Sequence, residues 1–361
     1  MSDKLKEALL AQIMKEREAA VGGAIKSGGG SSESTALFTH KAPPVQANQK
    51  SYKDIIGKAH PSGKSYYFTV YNKEDWAEEV QEYIPSIVDH FEFDHDFALA
   101  VLMGIEFNKV VFAYGPPGSG KTTTPEQICA RINMPFSFVA GMGGSEPSDY
   151  IGSPWVENGS MTWKDGTASH MVRHGGYLLY DEPFKSSSTT NMWMQSLADD
   201  RRTLKLYGHP DPMKQTLKAA PTFRFCLADN VRGFGDDMDK YAAEIQDQST
   251  LNRCAYKVHV DYMPARLEKS ILSKQFPEAT DRLISCVVSL ANLIRNGWKK
   301  GDFTAPFSIR DTQEFVQAAL FMEDAGEAFK QTYYGAVQDD SERQALKDAW
   351  NTAFGSMAKL N

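Results

Sequence analysis

"KVVFAYGPPGSGKTTT", residues 109–124, sets an apolar run against a glycine-rich turn, a lysine and three threonines. Residues 110–115 read as a buried strand. Gly115, Gly120, Lys121 and Thr122 fill every fixed position of the spacing G-x-x-x-x-G-K-[ST]. At ordinary residue frequencies such a match arises by chance in roughly one per cent of chains of this length. The context narrows it further, because "TTPEQICARI" follows as a helix and a strand–loop–helix is what phosphate binding requires. Backbone N–H groups and the helix N-terminus would face the phosphates. The expected nucleotide-binding residues are Gly115, Pro116, Pro117, Gly118, Ser119, Gly120, Lys121, Thr122 and Thr123. Lys121 would neutralise β/γ-phosphate charge and Thr122 would ligate Mg²⁺. Pro125 is tolerated, since a first-turn proline removes an N–H that lacks a helical partner. A glycine turn with no ligand is the alternative.

Four further runs share the strand character: "FSFVAG" (136–141), "YLLYDE" (177–182), "FRFCLAD" (223–229) and "AYKVHVDY" (255–262). Several are apolar throughout, as expected when helices cover both faces of a parallel sheet. The second of these, "YLLYDE", delivers Asp181 and Glu182 to the carboxyl edge of the sheet, beside the phosphate loop. There Asp181 can orient a Mg²⁺ shell, through water, and Glu182 can polarise an attacking water. "FRFCLADN" ends in Asn230, whose neutral amide can position the same water or simply form a turn. Two other strands already place chemistry at this edge, which favours the first role. After Pro264 the pattern turns helical, in "ARLEKSILSKQF", "DRLISCVVSLANLIRNGW", "IRDTQEFVQAALFMEDA" and "SERQALKDAWNTAFGSMAKL".

The chain has 361 residues, 42% hydrophobic and 24% charged, with a formal charge of −7. That is an ordinary globular composition and argues against a generally basic nucleic-acid binder. No apolar run approaches the roughly 18–20 residues of a membrane span. Acids from Asp3 onward predict no secretion signal. Cys129, Cys226, Cys254 and Cys286 are far apart, so neither a zinc cluster nor a disulfide framework is expected, and a cytoplasmic setting fits. Residues 3–20 read as an amphipathic helix, either a frayed tail or a docking element, followed by a flexible linker.

Taken together, "FDHDFALAVLMGIEFNKVVFAYGPPGSGKTTTPEQICARIN", "GGYLLYDEP", "TFRFCLADNVRGFGDD" and "QDQSTLNRCAYKVHVDYMP" resemble the MoxR branch of the AAA+ ATPases. Within it the resemblance is to the CobS-like group of cobaltochelatase ATPase subunits. It runs from about residue 93 to 264 and reaches into "PFSIRDTQEF". The resemblance implies an α/β AAA+ P-loop NTPase fold, with a five-stranded parallel sheet core and a C-terminal helical lid domain. The corresponding division is an N-terminal helix and linker (1–50), an extension packing on the core (51–92), an ATPase domain (93–262) and a lid (263–361). It further implies ATP and Mg²⁺, with Arg253 of "STLNRC" as an arginine finger acting on a neighbouring subunit's nucleotide. Arg310 of "FSIRDT" would be the lid arginine that contacts the γ-phosphate. Catalysis would then rest on Glu182, Asn230 and Arg253. A finger supplied in trans implies a homo-oligomeric ring, usually a hexamer in this family. MoxR relatives commonly act on a partner with a von Willebrand factor A domain.

Residues 142–176 resemble the inserted hairpin and pore loops of the family but lack the aromatic–hydrophobic pair of peptide-threading relatives. There Tyr150, Trp155 and Trp163 read either as client contacts or as self-packing. Arg201 and Arg202 read as a solvated turn or an interfacial pair. His170 and His174 stand at i, i+4 without the glutamate of H-E-x-x-H, so metal binding is not expected. "HFEFDH" (90–95) reads as surface and helix-start chemistry. Three functions compete: an ATP-driven remodeller (including a chelatase motor), a nucleic-acid motor, and a structural ring. The acidic balance disfavours the second and the Glu182–Arg253 pair the third.

Overall fold

The computed structural model describes residues 46–232 and 248–360. The N-terminal amphipathic helix and most of its linker lie outside the described residues. The strands in chain order are β1 (Gln49–Ser51), β2 (Tyr67–Thr69), β3 (Val111–Tyr114), β4 (Phe136–Ala140), β5 (Gly152–Glu157) and β6 (Ser160–Asp165). They continue with β7 (Gly176–Asp181), β8 (Thr203–Lys205), β9 (Thr216–Lys218), β10 (Phe223–Asp229) and β11 (Tyr256–His259). Five of them form one all-parallel sheet in the order β11-β3-β10-β7-β4. These are the five strands expected from the sequence.

Position in the sheet explains the sequence of each strand. β3, β7 and β10 are central and buried almost throughout, because helices cover both faces. The edge strands β4 and β11 alternate instead; Phe138 of β4 is exposed and so is Lys257 of β11. Register aligns Tyr114 with Asp229, and Ala228 with Asp181, so the chemistry-bearing ends of three adjacent strands lie level. The other strands pair as antiparallel hairpins, β1–β2, β5–β6 and β8–β9.

The apolar residues fall into two clusters. The first is built around the sheet, the helices His95–Glu106 and Thr123–Arg131, and includes Tyr52, Ile55, Phe68, Trp76 and Val80 from the segment that precedes them. The second lies wholly beyond residue 264 and packs Phe307, Phe315, Phe329 and Trp350 between five helices. Four of those helices, Ala265–Gln275, Asp281–Lys300, Ile309–Met322 and Asp340–Phe354, match the expected ones. The fifth, Ala325–Thr332, does not: the sequence suggested an unbroken helix to residue 325. Glu323 instead adopts a left-handed conformation (φ 54°), and the Asp324 side chain accepts from Gly326 and Glu327 N–H, capping a new helix. No helix among the described residues is long and apolar enough to cross a membrane.

Candidate nucleotide site

The site sits where β3, β7 and β10 end. The turn after β3 uses glycine where no other residue fits. Gly115 has φ 150°, and a Cβ there would stand 2.1 Å from Val260 O. Gly118 has φ 69°, and its Cβ would stand 2.5 Å from Ser308 Cβ. The loop then enters the helix Thr123–Arg131, with Pro125 in its first turn.

Lys121 is buried, with Nζ donating to Gly115 O (2.8 Å), Pro116 O (2.8 Å) and Asn230 Oδ1 (2.9 Å). Burial pushes its pKa down to about 8, against the pull of Asp181, Asp229 and Glu182. Thr122 Oγ1 donates to Asp181 Oδ2 at 2.9 Å, and burial raises the Asp181 carboxyl above its ordinary range. Asn230 Nδ2 donates to Glu182 Oε1 (2.8 Å), while Lys185 Nζ donates to Oε2 (2.6 Å). Glu182 itself holds a left-handed backbone (φ 48°, ψ 44°), an arrangement that L residues rarely adopt without surrounding constraint. The constraint comes from Glu182 N–H donating to Ala228 O and from Gly141, where a Cβ would lie 2.2 Å from Glu182 O. Behind them Asp229 accepts from the Phe184 and Val231 amides, and burial lifts its carboxyl to about 6.

The structure therefore brings these residues to one sheet edge in two hydrogen-bonded groups, Lys121–Asn230–Glu182 and Thr122–Asp181. Two observations favour an anionic ligand over an empty turn. Ser119 Oγ is buried without a hydrogen-bond partner among the described residues, an orphan that a ligand oxygen would satisfy. The loop also presents its backbone beside a cavity of about 280 Å³ bounded by Gly118, Ser119, Gly120 and Thr123. The hard oxygens of Thr122 and Asp181 suit Mg²⁺.

Arg310 stands on the cavity wall, exposed, at the start of the helix Ile309–Met322. Arg253 is elsewhere: it precedes the amino end of β11, and its guanidinium donates to Ser249 O (2.7 Å). It does not reach Lys121 of its own chain.

Sequence reading missed most of the cavity. Val88, Phe91, Phe93, Met263, Leu267 and Ile271 form an apolar slot beside the phosphate loop, with Glu92 and Asp94 also on its wall. "HFEFDH" is thus corrected. Asp94 does cap the helix His95–Glu106, but residues 90–94 also line the cavity. The available signal was the apolar Phe91/Phe93 pair upstream of the loop.

Arg202 is corrected too. Arg202 is half-buried, its guanidinium donating to Leu197 O and Asn108 O rather than lying in a solvated turn; Arg201 is exposed and pairs with Asp199. Tyr150 is self-packed, buried and stacked on Trp193. Trp163 stacks on His209, and Trp155 is exposed under Lys164. His170 and His174 pack together at 4.8 Å, and both face Glu79.

The family model for the AAA domain, dynein-related subfamily, matches residues 110–244, which covers this loop and the Asp181–Glu182 pair. The chain is 26% identical to the aerobic cobaltochelatase subunit CobS of a Sinorhizobium species, over 76% of this chain and 83% of that protein. It is 31% identical to the denitrification regulatory protein NirQ of Pseudomonas aeruginosa, over 33% of this chain and 45% of that one. Protein NorQ of Paracoccus denitrificans is 30% identical over 33% and 43%. Fold and site thus define a P-loop ATPase of the AAA+ class. Within that class the chain is similar to MoxR-type members, CobS among them.

Proposed function

We propose that this chain is the subunit of a homo-oligomeric ring, with six subunits, that hydrolyses Mg·ATP to remodel a partner protein carrying a von Willebrand factor A domain. Residues 93–262 are the motor domain and 263–361 the lid. The observation that carries this reading is the split of the catalytic set: Lys121, Asp181, Glu182 and Asn230 share the carboxyl edge of the sheet, whereas Arg253 precedes the amino end of β11, bonded to Ser249 O and near Asp199. A cation with no role at its own site suits the site of a neighbour.

In the mechanism, Lys121 exchanges two carbonyls and the Asn230 amide oxygen for phosphate oxygens. Thr122 and Asp181 would hold Mg²⁺, which compensates phosphate charge. Asn230 and Lys185 hold the Glu182 carboxylate in place through one bond to each oxygen, and Glu182 takes a proton from the water that attacks the γ-phosphorus. Arg253 of a neighbour stabilises charge developing on the transferred group, an effect worth roughly 10³–10⁵ in rate for GTPase fingers. Arg310 reports γ-phosphate loss to the lid. The similarity to CobS favours a second reading, in which the partner belongs to a metal chelatase and this chain is its motor.

The test uses Glu182→Gln, expected to bind ATP without turning it over, with Lys121→Ala as the non-binding control. A von Willebrand factor A protein retained only by Glu182→Gln with Mg·ATP supports the reading. Wild-type turnover in Glu182→Gln, or retention of nucleic acid in place of protein, overturns it. Mixing Lys121→Ala with Arg253→Ala subunits should restore part of the lost activity; no recovery in mixed rings excludes a finger acting in trans.

A further inference from the structure

The phosphate loop is touched from the lid side by a residue with no part in the chemistry above. Tyr262 lies between β11 and the helix Ala265–Gln275. Its hydroxyl donates to Pro117 O at 2.8 Å. A peptide unit is planar and trans, so its C=O and N–H point in opposite directions. Anchoring the Pro117 carbonyl therefore fixes the aim of the Gly118 N–H. That N–H has no acceptor among the described residues, and Gly118 lines the cavity. Pro116 and Pro117 carry no N–H, so the Gly118 amide is the first donor available after Gly115.

Tyr262 is itself held by the lid. The Arg295 guanidinium stacks over its ring, 4.4 Å from the centroid. Arg295 is buried and pinned by Glu268, through bonds of 2.6 and 2.8 Å, and by Phe307 O at 2.6 Å. Thr312 Oγ1 donates to the same Glu268 carboxylate, so three lid helices meet at this node. The lid also presses on Gly118 directly through Ser308, the cap of the helix Ile309–Met322. One peptide of the loop thus has its carbonyl held by Tyr262 and Ser308 close beside Gly118, where an added Cβ would stand 2.5 Å from Ser308 Cβ.

We infer that Tyr262 is a positioning residue: it holds the Pro117–Gly118 peptide with its N–H turned toward the phosphates, and through Arg295 it makes that aim depend on lid orientation. The inference rests on the loop being the phosphate site. A lid displaced on nucleotide release would carry Arg295 away from the ring, free the Pro117 carbonyl and let the peptide rotate. A carbonyl oxygen turned toward the phosphates repels them, so the loop would lose affinity in the open state.

Tyr262→Phe removes the hydroxyl and keeps the ring under Arg295. One neutral hydrogen bond is worth about 1 kcal/mol, so affinity for a fluorescent ATP analogue should fall roughly 3- to 10-fold. Competition by ATP and by tripolyphosphate should weaken by the same factor, while competition by adenosine stays unchanged. Tyr262→Leu, which also abandons the Arg295 face, should weaken phosphate binding further. Thermal midpoints without nucleotide check that both variants are folded. Unchanged affinity in Tyr262→Phe overturns the inference. So does a loss shared equally by adenosine, which marks a general structural role. Lys121→Ala separates the two readings: if it binds the analogue as well as wild type, the phosphate-loop reading itself fails and this inference falls with it.

Discussion

Nucleotide affinity should fall as pH rises above 8, with Lys121 setting the slope. In the free protein Nζ is buried among backbone carbonyls and titrates near pH 8, because burial outweighs the attraction of Asp181, Asp229 and Glu182. Phosphates placed against it favour the charged form and return the pKa toward the ordinary lysine value of about 10.4. The bound pKa then exceeds the free one, so binding takes up a proton between them and affinity drops with pH, not the reverse. From pH 7.5 to 9.5 the loss should be about 20-fold, approaching tenfold per unit above pH 8. The last phosphate proton has a pKa near 6, so the nucleotide itself contributes little in this range. Calorimetric titrations in buffers of different ionisation enthalpy should show uptake rising from about 0.2 proton at pH 7.5 to about 0.9 at pH 9. Lys121→Arg, charged throughout, should bind with a flat profile. A flat profile in wild type, with no proton uptake, would refute the reasoning. It would mean that the bonds to Gly115 O, Pro116 O and Asn230 Oδ1 keep Nζ fully charged in the free protein.

Asp229, shifted in the opposite direction, gives a stability effect that also declines as pH rises. Its folded pKa of about 6 lies above the unfolded value, so the folded state binds the extra proton and wild-type stability declines as pH rises from 4 through 6. Asp229→Asn removes the titration but keeps an acceptor for only one of the Phe184 and Val231 amides, which bond different carboxylate oxygens. In urea unfolding the variant should lose the wild-type decline of stability between pH 4 and pH 6, and a decline that persists counts against the buried-charge argument. Glu268→Gln leaves the Arg295 guanidinium buried without a counter-charge and should lower unfolding free energy by about 3–5 kcal/mol. A loss under 1 kcal/mol would show that water reaches this node. Gly118→Ala combines a left-handed backbone, disfavoured by roughly 1–2 kcal/mol, with a contact 2.5 Å from Ser308 Cβ. Its ATP binding should weaken at least tenfold by fluorescence titration, and unchanged binding would show that the lid yields freely at this point.

The phosphate loop and the strand ends were legible because their chemistry is local. Lys121 is six residues from Gly115, and Asp181 and Glu182 follow one apolar run, so periodicity and spacing suffice to put them at a sheet edge. The parallel order of the five strands is not local, but apolar character on both faces of β7 and β10 restricts them to the centre. What stayed hidden depends on contacts between distant segments. Arg202 reads as a surface residue until Asn108, 94 positions away, proves to supply its acceptor. Phe91 and Phe93 read as ordinary apolar residues until Leu267 and Ile271 close over the same cavity. The helix break at Glu323 turns on a side-chain cap that competes with a run of good helix formers, and propensity cannot rank the two.

The cavity shows why nucleotide binding in this fold cannot be confined to the loop that announces it. Its walls come from residues 88–94, from the phosphate loop, from the segment 261–271 and from the start of the helix Ile309–Met322. Glu92, buried beside that cavity, accepts from Lys58 of the preceding segment and from Lys274 of the lid, the latter at 2.9 Å. Burial alone would raise its carboxyl pKa, but the two lysines hold it below the usual range. One carboxylate therefore ties three parts of the chain together next to the base-sized slot, as Tyr262 ties two of them at the phosphate end. A ligand filling both ends completes a surface to which the lid contributes twice, so occupancy must favour one lid orientation. The same contacts, read in reverse, make lid orientation a determinant of affinity. In a ring, lid position is also set by neighbours, and that reciprocity is what would let hydrolysis in one subunit alter binding in the next.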